Sequence, residues 1–175
     1  MSDTLTRRDF VAAALASGAA FVRAEGFVFG HVADEGWIDA SAGPLLRYRR
    51  AIGAEHVVVL ADIKKKHSAH AVTADVDLVE TARAAEFFRA DGVIVTGAAT
   101  GRAADPAEVA AVAHAVGVPV FVGSGIDADN LTRYAGAAGF IVGSSVKVDG
   151  HWANTVDPRR ADAVARAFAA LPVPA

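Results

Sequence analysis

The chain has 175 residues, of which 53% are hydrophobic and 21% are charged, and its formal net charge is −3. This is long and apolar enough for one domain, residues 1–175, with a sizeable core, and it is far from the composition of disordered chains. No cluster of lysines and arginines exceeds Lys64-Lys65-Lys66, so nothing indicates a nucleic-acid partner. The lack of cysteine excludes disulfides, thiolate metal sites and a cysteine nucleophile. No uncharged apolar run is long enough to span a membrane.

Two interpretations fit the N-terminal segment. Thr6-Arg7-Arg8-Asp9-Phe10, with the uncharged run that follows, resembles a twin-arginine export signal. The alternative is an amphipathic helix from about Thr6 to Ser17 with Gly18 at its C′ position. We favour the helix, because it would lead into a strand that belongs to the alternating pattern of the whole chain. A cytoplasmic protein is then expected. The predicted inner face of this helix comprises Phe10, Ala13, Ala14 and Ser17.

Five continuous apolar runs are predicted to be strands. They do not alternate strictly between apolar and polar residues, which is typical of strands buried on both faces of a parallel sheet. The predicted strands are Ala20–Phe27, Val57–Ile63, Gly92–Thr96, Val118–Val122 and Phe140–Val142.

The segments between these runs have helix start signals. Asp105-Pro106-Ala107-Glu108 combines a capping aspartate, a first-turn proline and an acidic third residue, and the helix is predicted to end at Gly117. Asp157-Pro158 opens the last helix in the same way. Asp75 and Asp127 are predicted to cap two further helices. A helix is also predicted over Pro44–Ile52. The predicted inward residues are Leu78, Val79, Ala82 and Ala85 in the third helix, Val109, Val112, Ala113 and Val116 in the fourth, and Ala161, Val164, Ala165, Phe168 and Leu171 in the last.

This alternation of helices and strands predicts an α/β fold with a parallel sheet. It does not by itself decide between a barrel and an open, doubly wound sheet. Neither a glycine-rich fingerprint after the first strand nor a GxxxxGK[ST] motif is present, so the nucleotide-binding versions lack support. The polar residues that follow the strands fall where either fold places its chemistry.

The last two predicted strands end in the same kind of turn. One runs into Gly123-Ser124-Gly125 and the other into Gly143-Ser144-Ser145. A glycine at the end of a buried strand leaves backbone N–H groups free and lets an anion approach them closely. Barrels frequently build their phosphate site from the loops after the last two strands. The pair therefore predicts a phosphate cup, although glycines here could also serve only to turn the chain.

Six segments of the sequence have a distinctive character. They are FVRAEGFVFGHVADEG, LLRYRRAIGAEHV, VPVFVGSGI and GFIVGSSVKVDGHWANTVDP, and, as the most specific, KKKHSAHA and VTGAATG. Together these segments resemble the BtpA/SgcQ family. It implies a (β/α)8 TIM barrel of the ribulose-phosphate-binding type. Because family members are longer at the N-terminus, it also implies that the five strands are the fourth to eighth of eight, in a partial barrel.

A partial barrel would leave two strand edges unpaired, those of the first and last predicted strands. Exposed apolar edges promote association. We therefore expect a homo-oligomer, or a fragment of a longer protein that is not functional alone.

Ionisable residues are concentrated after the first two strands. Asp62 ends the second strand and is followed by Lys64, Lys65, Lys66, His67 and His70, while Glu25 and His31 follow the first. A carboxylate, an ammonium group and an imidazole at one strand end could serve as base, electrophile and proton shuttle. We expect Asp62, Lys64, His67 and Glu25 to be the catalytic candidates, and the alternative is that the lysines form a solvated loop.

The same region also has metal-binding character, although the cofactor stays unknown. His31, His67 and His70 are the candidate ligands. Other small or basic residues are predicted to complete a ligand pocket. They are Thr96, Gly97 and Thr100 after the third strand, and Lys147, with Trp152 as a cover, after the last.

Two functions remain open at this point. One is an enzyme that acts on a phosphorylated sugar or nucleoside-type molecule by proton-transfer, lyase or isomerase chemistry. The other is a non-catalytic assembly or scaffold factor, which the resemblance implies because the family takes its name from photosystem I biogenesis. A fold likeness does not decide between them.

Overall fold

The protein folds around five parallel strands that curl into a half-barrel. The computed structural model describes residues 6–97, 102–134 and 136–172. The predicted α/β class and the partial barrel are confirmed. In their order across the sheet, the five strands are β1 (Phe21–Ala24), β4 (Val58–Ile63), β6 (Gly92–Thr96), β7 (Val120–Gly123) and β8 (Gly139–Ile141). The helices are α1 (Arg7–Ser17), α2 (Ala42–Ala51), α3 (Leu78–Phe87), α4 (Pro106–Ala115) and α5 (Pro158–Ala169).

The register of the sheet separates an outer face from a concave inner face. On the outer face, Val59, Val93 and Val122 are fully buried. The concave face is apolar near the amino ends of the strands and polar at their carboxyl ends. Its apolar part includes Phe21, Val58, Leu60, Ile94 and Phe121, and its upper rim is formed by Arg23, Asp62, Thr96 and Gly123.

The strands β1 and β8 form the two edges of the half-barrel, as predicted. Beside the concave face lies an open apolar groove of about 640 Å³, which is also lined by helix α5. Phe21 and Phe168 line this groove and remain 55% and 52% exposed. Helix α5 therefore turns Phe168 toward the groove rather than into a closed core, and none of its residues is fully buried.

Two of the predicted helix caps are confirmed and two are wrong. The side chains of Asp105 and Asp157 accept hydrogen bonds from first-turn N–H groups. Helix α3 is capped by Asp77 rather than Asp75, because Asp77 is placed to accept from Glu80 N. Asp127 starts no α-helix. Its side chain accepts from the N–H groups of Asp129 and Asn130, in a turn that precedes a short 3-10 helix, Leu131–Arg133.

The N-terminal segment is a helix that packs into the core. Gly18 adopts the left-handed conformation at its C-terminus, with φ 71°. The inner residues are Val11 and Ala14. Phe10 is 56% exposed, and Ala13 and Ser17 are exposed as well, so of the predicted inner face only Ala14 is right. The Nε of Arg7 donates to the carbonyl oxygen of Glu25 at 2.6 Å, and this bond ties the helix to the end of β1. Within the described ranges, no helix is long and apolar enough to cross a membrane.

A second, antiparallel sheet, which was not predicted, lies beside the half-barrel. Its order is β3-β2-β5, formed by Gly36–Ile38, His31–Ala33 and Ser68–Ala69. Strands of two or three residues are too short to show a period of two. The predicted first strand, Ala20–Phe27, is correspondingly too long, because the chain leaves the parallel sheet after Ala24 and enters this hairpin.

Candidate functional site

The polar rim is built around an ion pair between β1 and β4. The guanidinium of Arg23 donates from Nε to Asp62 Oδ2 at 2.6 Å and from a second nitrogen to Asp62 Oδ1 at 2.7 Å. The side chain of Asp62 is completely buried, whereas that of Arg23 is 35% exposed. Burial raises the pKa of Asp62, and the two hydrogen bonds from Arg23 oppose that rise. The paired geometry holds Asp62 in place and aligns the ends of the two strands.

The two Gly-Ser turns line one cavity of about 260 Å³. Register brings them together, because Gly123 of β7 pairs with Ile141 of β8 and each turn begins at its strand end. Two cationic residues, Arg23 and Lys66, also line this cavity, and so does one acidic residue, Asp127. We call this cavity the cup. From the turns it is lined by Ser124, Gly125, Gly143, Ser144 and Ser145.

The first turn of the cup has a backbone shape that its neighbours hold in place. Ser124 and Gly125 both have left-handed φ angles, 72° and 64°. The side-chain amide of Asn130 donates to the carbonyl oxygen of Gly125 at 2.7 Å, and the hydroxyl of Ser145 donates to that of Ile126 at 2.5 Å. The second bond joins the two turns, so the cup is tied together by the protein itself.

The glycines of the two turns differ in the space around them. A Cβ atom at Gly125 would lie 2.4 Å from the backbone nitrogen of Ala103, whereas one at Gly143 would meet no atom within 4 Å. Gly97, a predicted ligand residue, packs closely against the backbone of Arg102, since a Cβ atom added at Gly97 would lie 2.0 Å from the carbonyl oxygen of Arg102. Gly123 faces the barrel interior, between Ile94 and Thr96.

The remaining predicted site residues lie outside the cup. Lys64 donates from Nζ to the carbonyl oxygen of Thr73 at 3.0 Å, and His67 is exposed in the loop after β4. Lys147 donates to the carbonyl oxygen of Trp152 at 2.5 Å, and Trp152 is 66% exposed.

Thr96 lies on the rim near the cup. Its hydroxyl accepts from the backbone N–H of Lys66 at 3.3 Å, so it positions the loop that presents the Lys66 side chain to the cup. Thr100 falls outside the described residues.

A second polar cluster lies between the small sheet and β4. The ammonium of Lys65 contacts Glu25 at 2.6 Å and Glu35 at 3.6 Å. Burial lowers the pKa of Lys65, but its hydrogen bond to Glu25 and the charges of both glutamates outweigh burial and raise it above its ordinary value. Next to this network, the rings of His31 and His70 lie 5.4 Å apart. Burial lowers the pKa of His31, so this ring is neutral near pH 7.

The predicted metal ligands do not form a complete site. His31 and His70 are neighbours, but in the described ranges no group of three or more histidine, aspartate or glutamate side chains is arranged to hold a metal ion.

Arg23 was not among the predicted site residues, although its partner, Asp62, was. An arginine within an apolar strand, followed by an acidic residue at the end of the neighbouring strand, is a signal that could have indicated the pair. The pairing itself depends on which strands are neighbours and on their register, so it became evident only from the fold.

The half-barrel with ionisable groups at the carboxyl ends of its strands defines an α/β protein of the TIM-barrel type. The chain belongs to the BtpA family, whose model matches residues 6–170. An uncharacterized mitochondrial protein of Caenorhabditis elegans is 53% identical over 153 residues, which are 87% of this chain and 55% of that protein. The photosystem I biogenesis protein BtpA of Synechocystis is 37% identical over 159 residues, covering 87% of this chain and 53% of that protein. The chain thus spans about half the length of these relatives.

Solved structures with the same architecture support the assignment of the fold. Thiamine phosphate pyrophosphorylase from Pyrococcus furiosus superposes with a TM-score of 0.61 at 17% identity, covering 91% of this chain and 64% of that one. The native KDPGal structure superposes with a TM-score of 0.59 at 17% identity, covering 95% of this chain and 66% of that one. At such identities the likeness establishes the barrel-type fold alone.

Proposed function

We propose that the cup binds the phosphate of a small phosphorylated molecule, of the sugar-phosphate or nucleoside type. The observation that carries this proposal is that both Gly-Ser turns line one cavity together with Arg23 and Lys66. Glycine and serine turns offer N–H and O–H donors at short range, and two cationic residues in the lining favour an anion.

Lys66 is the cation best suited to meet the phosphate. Arg23 already gives two hydrogen bonds to Asp62, whereas no carboxylate in the described part of the chain forms a salt bridge with Lys66. Asp127 opposes an anion, but its Oδ1 accepts from the backbone N–H groups of Asp129 and Asn130, which offset part of its charge. The cup therefore suits a monoester held by one lysine and several neutral donors.

Thermal unfolding with added sugar phosphates tests the proposal. A ligand at 100 times its Kd stabilises the folded state by about 2.7 kcal/mol, so a clear rise in Tm is expected for a binder. Ser124→Asp with Ser144→Asp places two carboxylates in the cup and should abolish the rise. Lys66→Met should raise the Kd of the phosphorylated ligand at least tenfold and so reduce the rise in Tm.

Arg133→Met is the matched control for Lys66→Met, because it removes one exposed cation outside the cup. It should leave the rise in Tm unchanged. The proposal is wrong if no phosphorylated compound shifts Tm, or if Lys66→Met and Arg133→Met weaken the response equally.

We further propose that, as an enzyme, the protein would catalyse proton-transfer, lyase or isomerase chemistry at the rim, with Asp62, Lys64, His67 and Glu25 as the candidate catalytic residues.

A specific observation favours the alternative of a non-catalytic assembly factor. Asp62 is engaged by Arg23, Lys64 by Thr73 and Glu25 by Lys65, so these groups already serve the structure. Turnover of a compound that raises Tm supports the enzyme. A stoichiometric protein partner without any ligand response supports the assembly factor.

Finally, we propose that the chain forms a homo-oligomer through its open edges and apolar groove. Phe21 lies on edge strand β1 and lines the groove. Phe21→Glu should lower the mass that light scattering measures for the assembly. Phe10→Glu is the control, because Phe10 lies outside the groove and is 56% exposed, against 55% for Phe21, and it should leave the mass unchanged. A monodisperse monomer of the unaltered chain contradicts the proposal.

A further inference from the structure

The second polar cluster encloses a small cavity beside His31. Its volume is about 20 Å³, and its wall includes His31, His70, Asp62, Lys64 and Thr73. His31 is 6% exposed, and its Nε2 has no hydrogen-bond partner among the residues that the structure describes. A buried polar atom without a partner costs about 1–3 kcal/mol. We propose that this cavity is a binding site for one ordered water molecule, which donates a hydrogen bond to His31 Nε2.

The tautomer of His31 indicates which kind of group is needed. Burial lowers the pKa of His31, so the ring is neutral and carries one proton, and the backbone of Phe29, which acts in the opposite direction, favours a protonated ring nitrogen on its side. We assign this proton to Nδ1, because Nε2 has no hydrogen-bond partner that could accept it. A neutral ring with its proton on Nδ1 leaves Nε2 as a lone-pair acceptor. The missing partner must therefore supply an N–H or O–H group.

Hydroxyls and the Lys65 ammonium at this cluster are already used elsewhere. The hydroxyls of Thr73 and Thr81 donate to the carbonyl oxygens of His70 and Asp77, at 3.4 Å and 2.7 Å. The Lys65 ammonium contacts Glu25 and Glu35 and makes no hydrogen bond to His31 Nε2. His70 Nε2 lies 3.0 Å from the carbonyl oxygen of Lys65 and is therefore the protonated nitrogen of that ring, and it donates its hydrogen to Lys65 rather than to His31 Nε2.

A water molecule fits both the volume and the chemistry of the cavity. A cavity needs about 10–15 Å³ to hold one water, and a buried water typically makes two to four hydrogen bonds. This water donates one hydrogen to His31 Nε2. The Lys64 ammonium, which uses one N–H for the Thr73 carbonyl, has N–H groups left to donate to the water oxygen.

The position of the water gives it a structural role at the rim. His31 begins strand β2 of the small sheet, whereas Lys64 follows β4 of the half-barrel. A water between them joins the hairpin of β2 and β3 to the strand end that carries Asp62. It would thereby hold Glu25, Glu35 and Lys65 in a fixed arrangement next to the cup, as a positioning element.

Nuclear magnetic resonance of the intact chain tests the proposal directly. The expected result is that Nδ1 of His31 is protonated at pH 7, Nε2 is an unprotonated acceptor, and the ring protons show a cross-relaxation peak to a long-lived water. A dry cavity, seen as the absence of that peak, overturns the proposal. Protonation of Nε2 instead of Nδ1 overturns it as well.

Variants test the role of the water in holding the hairpin. His31→Phe keeps a ring but removes the acceptor, so the amides of His31–Ile38 should exchange with solvent at least tenfold faster, while those of Gly92–Thr96 should not change. His114→Phe, at an exposed position of α4, is the control and should affect neither segment. Unchanged hairpin exchange in His31→Phe contradicts the positioning role.

Discussion

Replacing Arg23 with methionine is expected to lower the free energy of unfolding by about 3 kcal/mol. The side chain of Asp62 is completely buried, and Arg23 supplies both of its charge-assisted hydrogen bonds at 2.6 Å and 2.7 Å. Removing one partner of such a pair leaves an uncompensated charge in the interior, which costs about 3–5 kcal/mol in buried pairs. We choose the lower end because Arg23 is partly exposed, so water can reach one side of the pair. Urea unfolding measures the change.

The double variant Arg23→Met with Asp62→Leu distinguishes the contribution of the ion pair from the contribution of the packing of the two side chains. With neither charge present, no carboxylate is left unpaired, and the double variant should recover at least half of the loss. A loss below about 1 kcal/mol in Arg23→Met would contradict the interpretation of Asp62 as a charge that depends on Arg23. A double variant as unstable as the single one would indicate packing instead.

The core of the fold could be predicted from the sequence because each parallel strand is a continuous apolar run. Val59, Val93 and Val122, which are fully buried on the outer face, all lie within predicted strands. The helix caps at Asp105 and Asp157 could be predicted because the Asp-Pro pair combines a capping side chain with a residue suited to the first helical turn. Asp75 and Asp77 could not be separated, since both precede the same apolar stripe and only the position of the chain decides which one caps.

The candidate site was predictable in its location but not in its partners. Gly-Ser turns after the last two strands predicted two loops at one end of the sheet, and register places both turns on one cavity. The partners of Asp62 and Lys65 come from β1 and the segment after it, at separations of 39 and 40 residues. Such pairs depend on strand order and on the small antiparallel sheet, and neither leaves a periodic pattern in the sequence.

Gly125 and Gly143, one glycine from each turn of the cup, should respond differently to substitution by alanine. Gly125→Ala is expected to lower the free energy of unfolding by about 3 kcal/mol, because a left-handed non-glycine residue and an overpacked contact each cost about 1–3 kcal/mol. Its φ is 64°, and the added Cβ would lie 2.4 Å from Ala103 N and 2.7 Å from Ala103 Cα, which are backbone atoms that cannot rotate away. Urea unfolding checks this value.

Gly143→Ala adds the same methyl group to the second turn, where no atom lies within 4 Å of the new Cβ. It should therefore unfold within about 1 kcal/mol of the unaltered chain, close to the ordinary cost of a surface substitution. If the cup binds phosphate through close approach to this backbone, the methyl group occupies space that the anion needs, and the ligand-induced rise in Tm should shrink even though the fold is intact. A full ligand response in Gly143→Ala would show that the anion does not approach the second turn. Equal stability of Gly125→Ala and Gly143→Ala would show that the first turn is not packed against residues 102–103. The two substitutions thus separate the part of the cup that supports the fold from the part that is open to a ligand.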